Sequence, residues 1–76
     1  MADKENSFQV DQHVQWSWGG GKGKGQIKER FERDVERTLK GSKVKRHGTE
    51  DDPAYLIEQD DGDEVLKLGS ELEGAG

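Results

Sequence analysis

The sequence predicts a small all-β domain in which five short strands roll into a partly open barrel, and three observations lead there. Apolar and polar residues alternate along Phe8, Val10, Val14, Trp16 and Trp18, the period-2 pattern of a half-buried strand. Turn signals punctuate the chain at hairpin spacing: a glycine-rich run at 19–25, "KGSK" at 40–43 and "DDGD" at 60–63,. With 76 residues and no cysteine, the chain makes one domain with no disulfide or thiolate-metal staple, and rolling the sheet limits its exposed strand edges.

Residues 1–7 are polar and aperiodic, which predicts a flexible N-terminal tail ahead of a domain spanning 8–72. Order is expected to begin at Phe8, and the even-numbered series that follows sends both tryptophans to one face. Gly19, Gly20, Gly21, Gly23 and Gly25 then allow the positive φ of a tight turn, so the chain doubles back. In the next segment Ile27, Phe31, Val35 and Leu39 recur every four residues. That spacing lines one face of a helix, yet all four numbers are odd, so one face of a strand fits equally. No capping residue precedes Ile27 and a hairpin turn feeds the segment, which favours strand; a helix over 26–39 stays open as the alternative. "KVKR" is a short strand bearing Val44. Pro53 holds Asp52 extended, leading into the strand "AYLIEQ". Gly62 supplies the positive φ of the next turn before the strand "EVLKL". "GSELEGAG" reads as one short helical turn and a loose tail at 73–76.

Only 28% of residues are hydrophobic and 38% are charged, so the core is small; a chain of this length buries only about 60% of its unfolded surface. The net charge of −5 hides a division. Residues 22–47 carry ten Lys and Arg against four acids, whereas 48–76 carry ten acids against Lys67 alone. If the two segments pair within one fold, their charges neutralise across strands and the basic stretch is not free for a polyanion. No apolar run approaches the roughly 20 residues of a membrane span, and the first residues lack the apolar stretch of a signal peptide. A soluble, cytoplasmic monomer is the expectation.

"VQWSWGGGKGKGQI", the Lys-Gly-x-x-Val hairpin, "EDDPAYLIEQDDGD" and the closing "VLKLGSEL" together resemble the hypervirulence-associated protein Tudor-domain family. The likeness runs from about Phe8 to Leu72, departing at Asp11 and Gln12, where a Gly-Asp pair is expected. It implies an SH3-like, Tudor-like barrel of five strands. It implies no specific activity.

Tudor-like barrels that read methylated Lys or Arg surround the cation with aromatic rings, and Trp16, Trp18, Phe31 and Tyr55 are the candidates here, with Asp51 and Asp52 close in sequence to the last. The competing role for the same rings is the core itself, because so few large hydrophobes must build it. A mixed outcome is expected, with Trp16 buried and Trp18, nearer the turn, partly exposed. Lys22 and Lys24 in the glycine-rich run suggest a phosphate contact, and Lys28 and Arg30 extend it into the basic stretch, but no phosphate-binding motif is present and a pI near 4.9 opposes nucleic acid. His13 and His47 stand alone in polar settings, no serine has a nucleophile's context, and the carboxylate runs lack calcium-loop spacing. No catalytic residue, metal or cofactor is therefore expected. The leading reading is a non-enzymatic binding module for a protein, peptide or small ligand; the alternative is nucleic-acid or dinucleotide binding through the Gly/Lys run.

Overall fold

The computed structural model describes residues 7–74. Among them the chain forms β1 (His13–Trp18), β2 (Gly21–Phe31), β3 (Asp34–Leu39), β4 (Ser42–His47), β5 (Ala54–Gln59), β6 (Glu64–Leu68), a 3-10 turn at Gly69–Glu71 and the two-residue β7 (Glu73–Gly74). The all-β expectation holds, and 26–39 is strand rather than helix. No helix among these residues is long and apolar enough to cross a membrane.

Strand number and closure differ from the expectation. Five strands form one antiparallel sheet in the order β6-β5-β2-β1-β7, while β3 and β4 make a separate hairpin with no hydrogen-bonded ladder to it. The segment expected as one strand breaks at Glu32 and Arg33, so β2 and β3 belong to different sheets. Glu73 and Gly74, expected in a tail, pair with Gln15 and Val14 on the outer edge of β1. The tail predicted over 1–7 lies outside the described residues except for Ser7, as do residues 75–76.

β5 is the centre of the molecule. Its side chains alternate between two apolar clusters: Tyr55 and Ile57 join Phe8, Val14, Trp16, Ile27 and Leu72, while Ala54 and Leu56 join Phe31, Val35 and Leu66. Ile27 and Phe31, expected on one face, lie in opposite clusters. The register explains it. Ile27 opposes Ile57, but Glu29 opposes Leu56, so Lys28 is an extra residue in β2, and such a bulge reverses the facing of everything beyond it.

The strand predicted from Phe8 begins only at His13. Phe8 is buried, but the chain then turns through Asp11 at φ 75, leaving Val10 exposed. The Asp11 N–H donates to the Ile27 carbonyl at 2.7 Å, and the Ile27 N–H to the Gln12 carbonyl at 3.0 Å.

The glycine run is also mostly strand. Only Gly19 among its members has positive φ; Gly21, Gly23 and Gly25 lie in β2 opposite Trp18, Trp16 and Val14. A Cβ on Gly23 would sit 2.5 Å from the Trp16 ring, and one on Gly25 would sit 2.6 Å from the Glu58 carbonyl oxygen. These glycines let a bulky side chain or a neighbouring backbone lie directly on β2.

Candidate functional site

The four aromatics do not converge. Tyr55 is fully buried, its ring edge-on to Phe8 at 5.7 Å. Its hydroxyl accepts from the Phe8 N–H at 2.8 Å and from Arg30 Nε at 3.4 Å. That bond is the leading cause holding the Arg30 guanidinium above its ordinary pKa. Trp16 shares this cluster, sealed over Gly23. Phe31 lies in the opposite cluster, with the guanidiniums of Arg33 and Arg37 at 5.2 and 5.0 Å from its ring centre, within cation–π range. Trp18 belongs to neither cluster and is 57% exposed. Alternation aims both indoles at one face, but that face is covered at Trp16 and open at Trp18. Asp52, close to Tyr55 in sequence, accepts from the backbone N–H and hydroxyl of Ser70 at 2.7 and 2.8 Å, tying the loop before β5 to the 3-10 turn.

The four basic candidates divide likewise. Lys22 and Lys24 are exposed and oppose Ser17 and Gln15 on the face of the β1–β2 hairpin away from the indoles. Lys28 pairs with Glu58 at 3.4 Å, and Arg30 pairs with Glu32. Charge neutralisation between the basic middle and the acidic end is seen again in Lys40–Asp63 at 2.6 Å and Arg46–Glu71 at 3.5 Å.

A concave site lies elsewhere, at the seam between the β3–β4 hairpin and β6. It is a cleft of about 270 Å³, with Leu39, Val44, Val65 and Leu66 as its apolar lining and Lys40, Arg46, Glu64 and Lys67 as its charged lining. Leu66 is almost fully buried and belongs to the second cluster; Leu39 and Val44 are partly buried against it. Lys40 and Arg46 are held by Asp63 and Glu71, whereas among the described residues no ion pair engages Lys67. The sequence gives these residues no distinguishing mark, because the cleft exists only once two separately formed sheets meet.

Among the described residues, no group of three or more His, Cys, Asp and Glu is placed to hold a metal. His47 pairs with Asp34 on the outer face of the hairpin, and His13 is exposed. The arrangement offers apolar contact and charge.

Residues 11–72 match the model for the Tudor domain of hypervirulence-associated proteins. The chain belongs to that family. No curated protein and no solved structure matches it. The matched Tudor domain starts at Asp11, in the turn ahead of β1, and ends at Leu72, so Phe8 and β7, which cover the first cluster and the edge of β1, fall outside it. The family description names no ligand and no activity.

Proposed function

We propose that the domain acts as a monomeric, non-enzymatic binding module that takes an extended peptide in the cleft between β4 and β6. One apolar side chain of the peptide packs among Leu39, Val44 and Leu66, and an acidic group on it meets Lys67 and Arg46. The supporting observation is the cleft itself. Its volume of about 270 Å³ falls just below the range of about 300–1,000 Å³ typical of small-molecule sites, which suits an anchoring side chain better than an enclosed cofactor. In this reading the seam is the open side of a Tudor-like barrel.

Backbone phase supports an extended ligand. The Gln59 N–H donates to Asp63 at 2.7 Å and the Gly69 N–H to Pro53 at 2.8 Å. Counting along the antiparallel ladder, the peptide groups of Val65 and Lys67 turn toward β5 and that of Leu66 turns toward the seam. A peptide strand laid there finds backbone partners as well as the apolar lining.

The test is a titration followed by amide chemical shifts, comparing short peptides that carry a leucine beside an acid, a leucine beside a lysine, or a trimethyl-lysine. The acidic-apolar peptide is expected to move the amides of Val44, Leu66 and Lys67 and to lose affinity in Val44→Gln, which puts a polar arm in the cleft. Shifts confined to Trp18, or none for any peptide, would overturn the assignment.

A further inference from the structure

The β1–β2 hairpin outruns the rest of the sheet. β5 ends at Gln59, opposite Gly25, so among the described residues Gly21–Lys24 pair with β1 alone and their other edge carries no strand. β7 pairs with Val14 and Gln15, so among the described residues the outer edge of Trp16–Trp18 carries no strand either. What projects is a two-stranded ribbon with an exposed indole at its end, Cζ2 of Trp18 lying 3.7 Å from the Cβ position of Gly21. The core gives Trp18 no role.

The ribbon also lies in the longest stretch of the chain without acids. None occurs between Asp11 and Glu29, although the molecule carries −5 overall. Among the described residues Lys22 and Lys24 are exposed and have no acidic partner, a lack shared with Arg33, Lys45 and Lys67 but not with Lys28, Arg30, Arg37, Lys40, Lys43 and Arg46, each of which has one. The bond from the Ile27 N–H to the Gln12 carbonyl sets the phase of the ladder. Continued along the strand, it makes Gly21, Gly23 and Gly25 the residues bonded to β1 and turns the N–H groups of Lys22 and Lys24 to the open edge. Each of these lysines therefore presents a backbone donor there in addition to its ammonium. Glu73 is bonded by Gln15 at 3.1 Å and Asp63 by Lys40, while in the β5–β6 turn Asp61 accepts from the Asp63 N–H at 2.9 Å, with Asp60 next to it in the chain.

We infer that this ribbon binds single-stranded nucleic acid, a base stacking on Trp18 and successive phosphates meeting Lys22 and Lys24 along the open edge. Four residues of strand span about 13 Å, room for two or three nucleotides. Any base has a π-face, so the contact is sequence-tolerant, and the acidic remainder of the molecule keeps it weak and dependent on low salt.

The test uses the full chain with a dodecamer of deoxythymidine, read by amide shifts and by titrations at several salt concentrations. Shifts are expected over Ser17–Lys24. Trp18→Ala, exposed and therefore still folded, is expected to weaken binding by about fivefold or more. Lys22→Gln and Lys24→Gln should each lower the slope of log affinity against log salt by about 0.7, while Val44→Gln in the cleft leaves binding unchanged. A dodecamer that moves no ribbon amide overturns the inference. So does polyglutamate binding as tightly as the dodecamer with Trp18→Ala without effect, which would identify an acidic polypeptide as the partner.

Discussion

Of the two apolar clusters flanking β5, one is closed by segments from near the chain ends and the other by a hairpin. Phe8 and Leu72 cap the first, and glycines in β2 let Trp16 lie flat on the backbone, so its buried members are 7% exposed or less. Among the described residues Val65 is the one partly buried hydrophobic residue packed against them. The second is covered by β3 and β4, which reach β6 through side chains without a hydrogen-bonded ladder. There Leu39, Val44 and Leu68 remain partly buried and the cleft opens beside them. Backbone-to-backbone closure makes the tight cluster, and side-chain docking makes the one with a surface to offer.

The sharpest way to break that comparison is to remove one large side chain from each cluster's cover. Trp16→Ala is expected to cost about 3–5 kcal/mol, most of the stability available to a domain this small, whereas Val44→Ala, already partly exposed, should cost under about 1.5 kcal/mol. Urea midpoints measured together decide it, and equal losses would mean that the two clusters are equivalent.

Next in size is the glycine under the indole. Gly23→Ala forces a Cβ to 2.5 Å from Trp16, while Gly21→Ala meets Trp18 at an ordinary 3.7 Å. The first should destabilise by about 1–3 kcal/mol, as overpacking does, and the second by less than about 0.5 kcal/mol. Combining Gly23→Ala with Trp16→Leu should recover part of the loss, a coupling read from a double-mutant cycle.

Tyr55→Phe sharpens the account of the first cluster at the level of one atom. It leaves the Phe8 N–H without its acceptor, a loss of about 1–3 kcal/mol, set toward the lower end because Arg30 keeps Glu32. Amide exchange at Phe8 should quicken; if it does not, the N-terminal segment is held by apolar packing alone.

The alternation of Val14, Trp16 and Trp18 was legible in the sequence because period 2 is a local property of the chain, and so were the turns at Gly41 and Gly62, both of positive φ. The role of the glycines was not, since glycine is normally disfavoured within strands and a run of it reads as turn. The missed signal is a complementarity: bulky residues at 14, 16 and 18 mirror glycines at 25, 23 and 21 about the turn at Gly19 and Gly20. The bulge at Lys28 carries no mark, because Ile27 and Phe31 stay odd-numbered whether or not a residue slips, and it is this slip that separates Phe31 from the other candidate aromatics. The cleft was hidden for a different reason: Leu39, Val44 and Leu66 come from three strands in two sheets, and nothing local says that they meet.

The smallest expected effect tests how the cleft is held. Lys40 and Gly41 form the β3–β4 turn with φ of 53 and 78, a pair of values that asks for Asn or Gly at the first position. A lysine there accepts a conformation unfavourable to it, and its ammonium reaches Asp63 in the β5–β6 turn, joining the two hairpins beside the cleft. The hydrogen bond to Asp63, reinforced by its charge, raises the Lys40 pKa above the ordinary 10.5. A folded-state pKa raised in this way gives a contribution fully present below the unfolded value and lost as pH climbs through the folded one. The stability difference between the wild type and Lys40→Gln should therefore be flat from pH 7 to 9 and shrink above pH 10.5,. It stays small throughout, because the lysine side chain is 69% exposed and solvent screens the pair. Lys40→Asn separates the two terms, since asparagine relieves the turn but cannot pair with Asp63. If it equals the wild type in stability yet weakens peptide binding, the ion pair serves to set the cleft's width rather than to hold the fold.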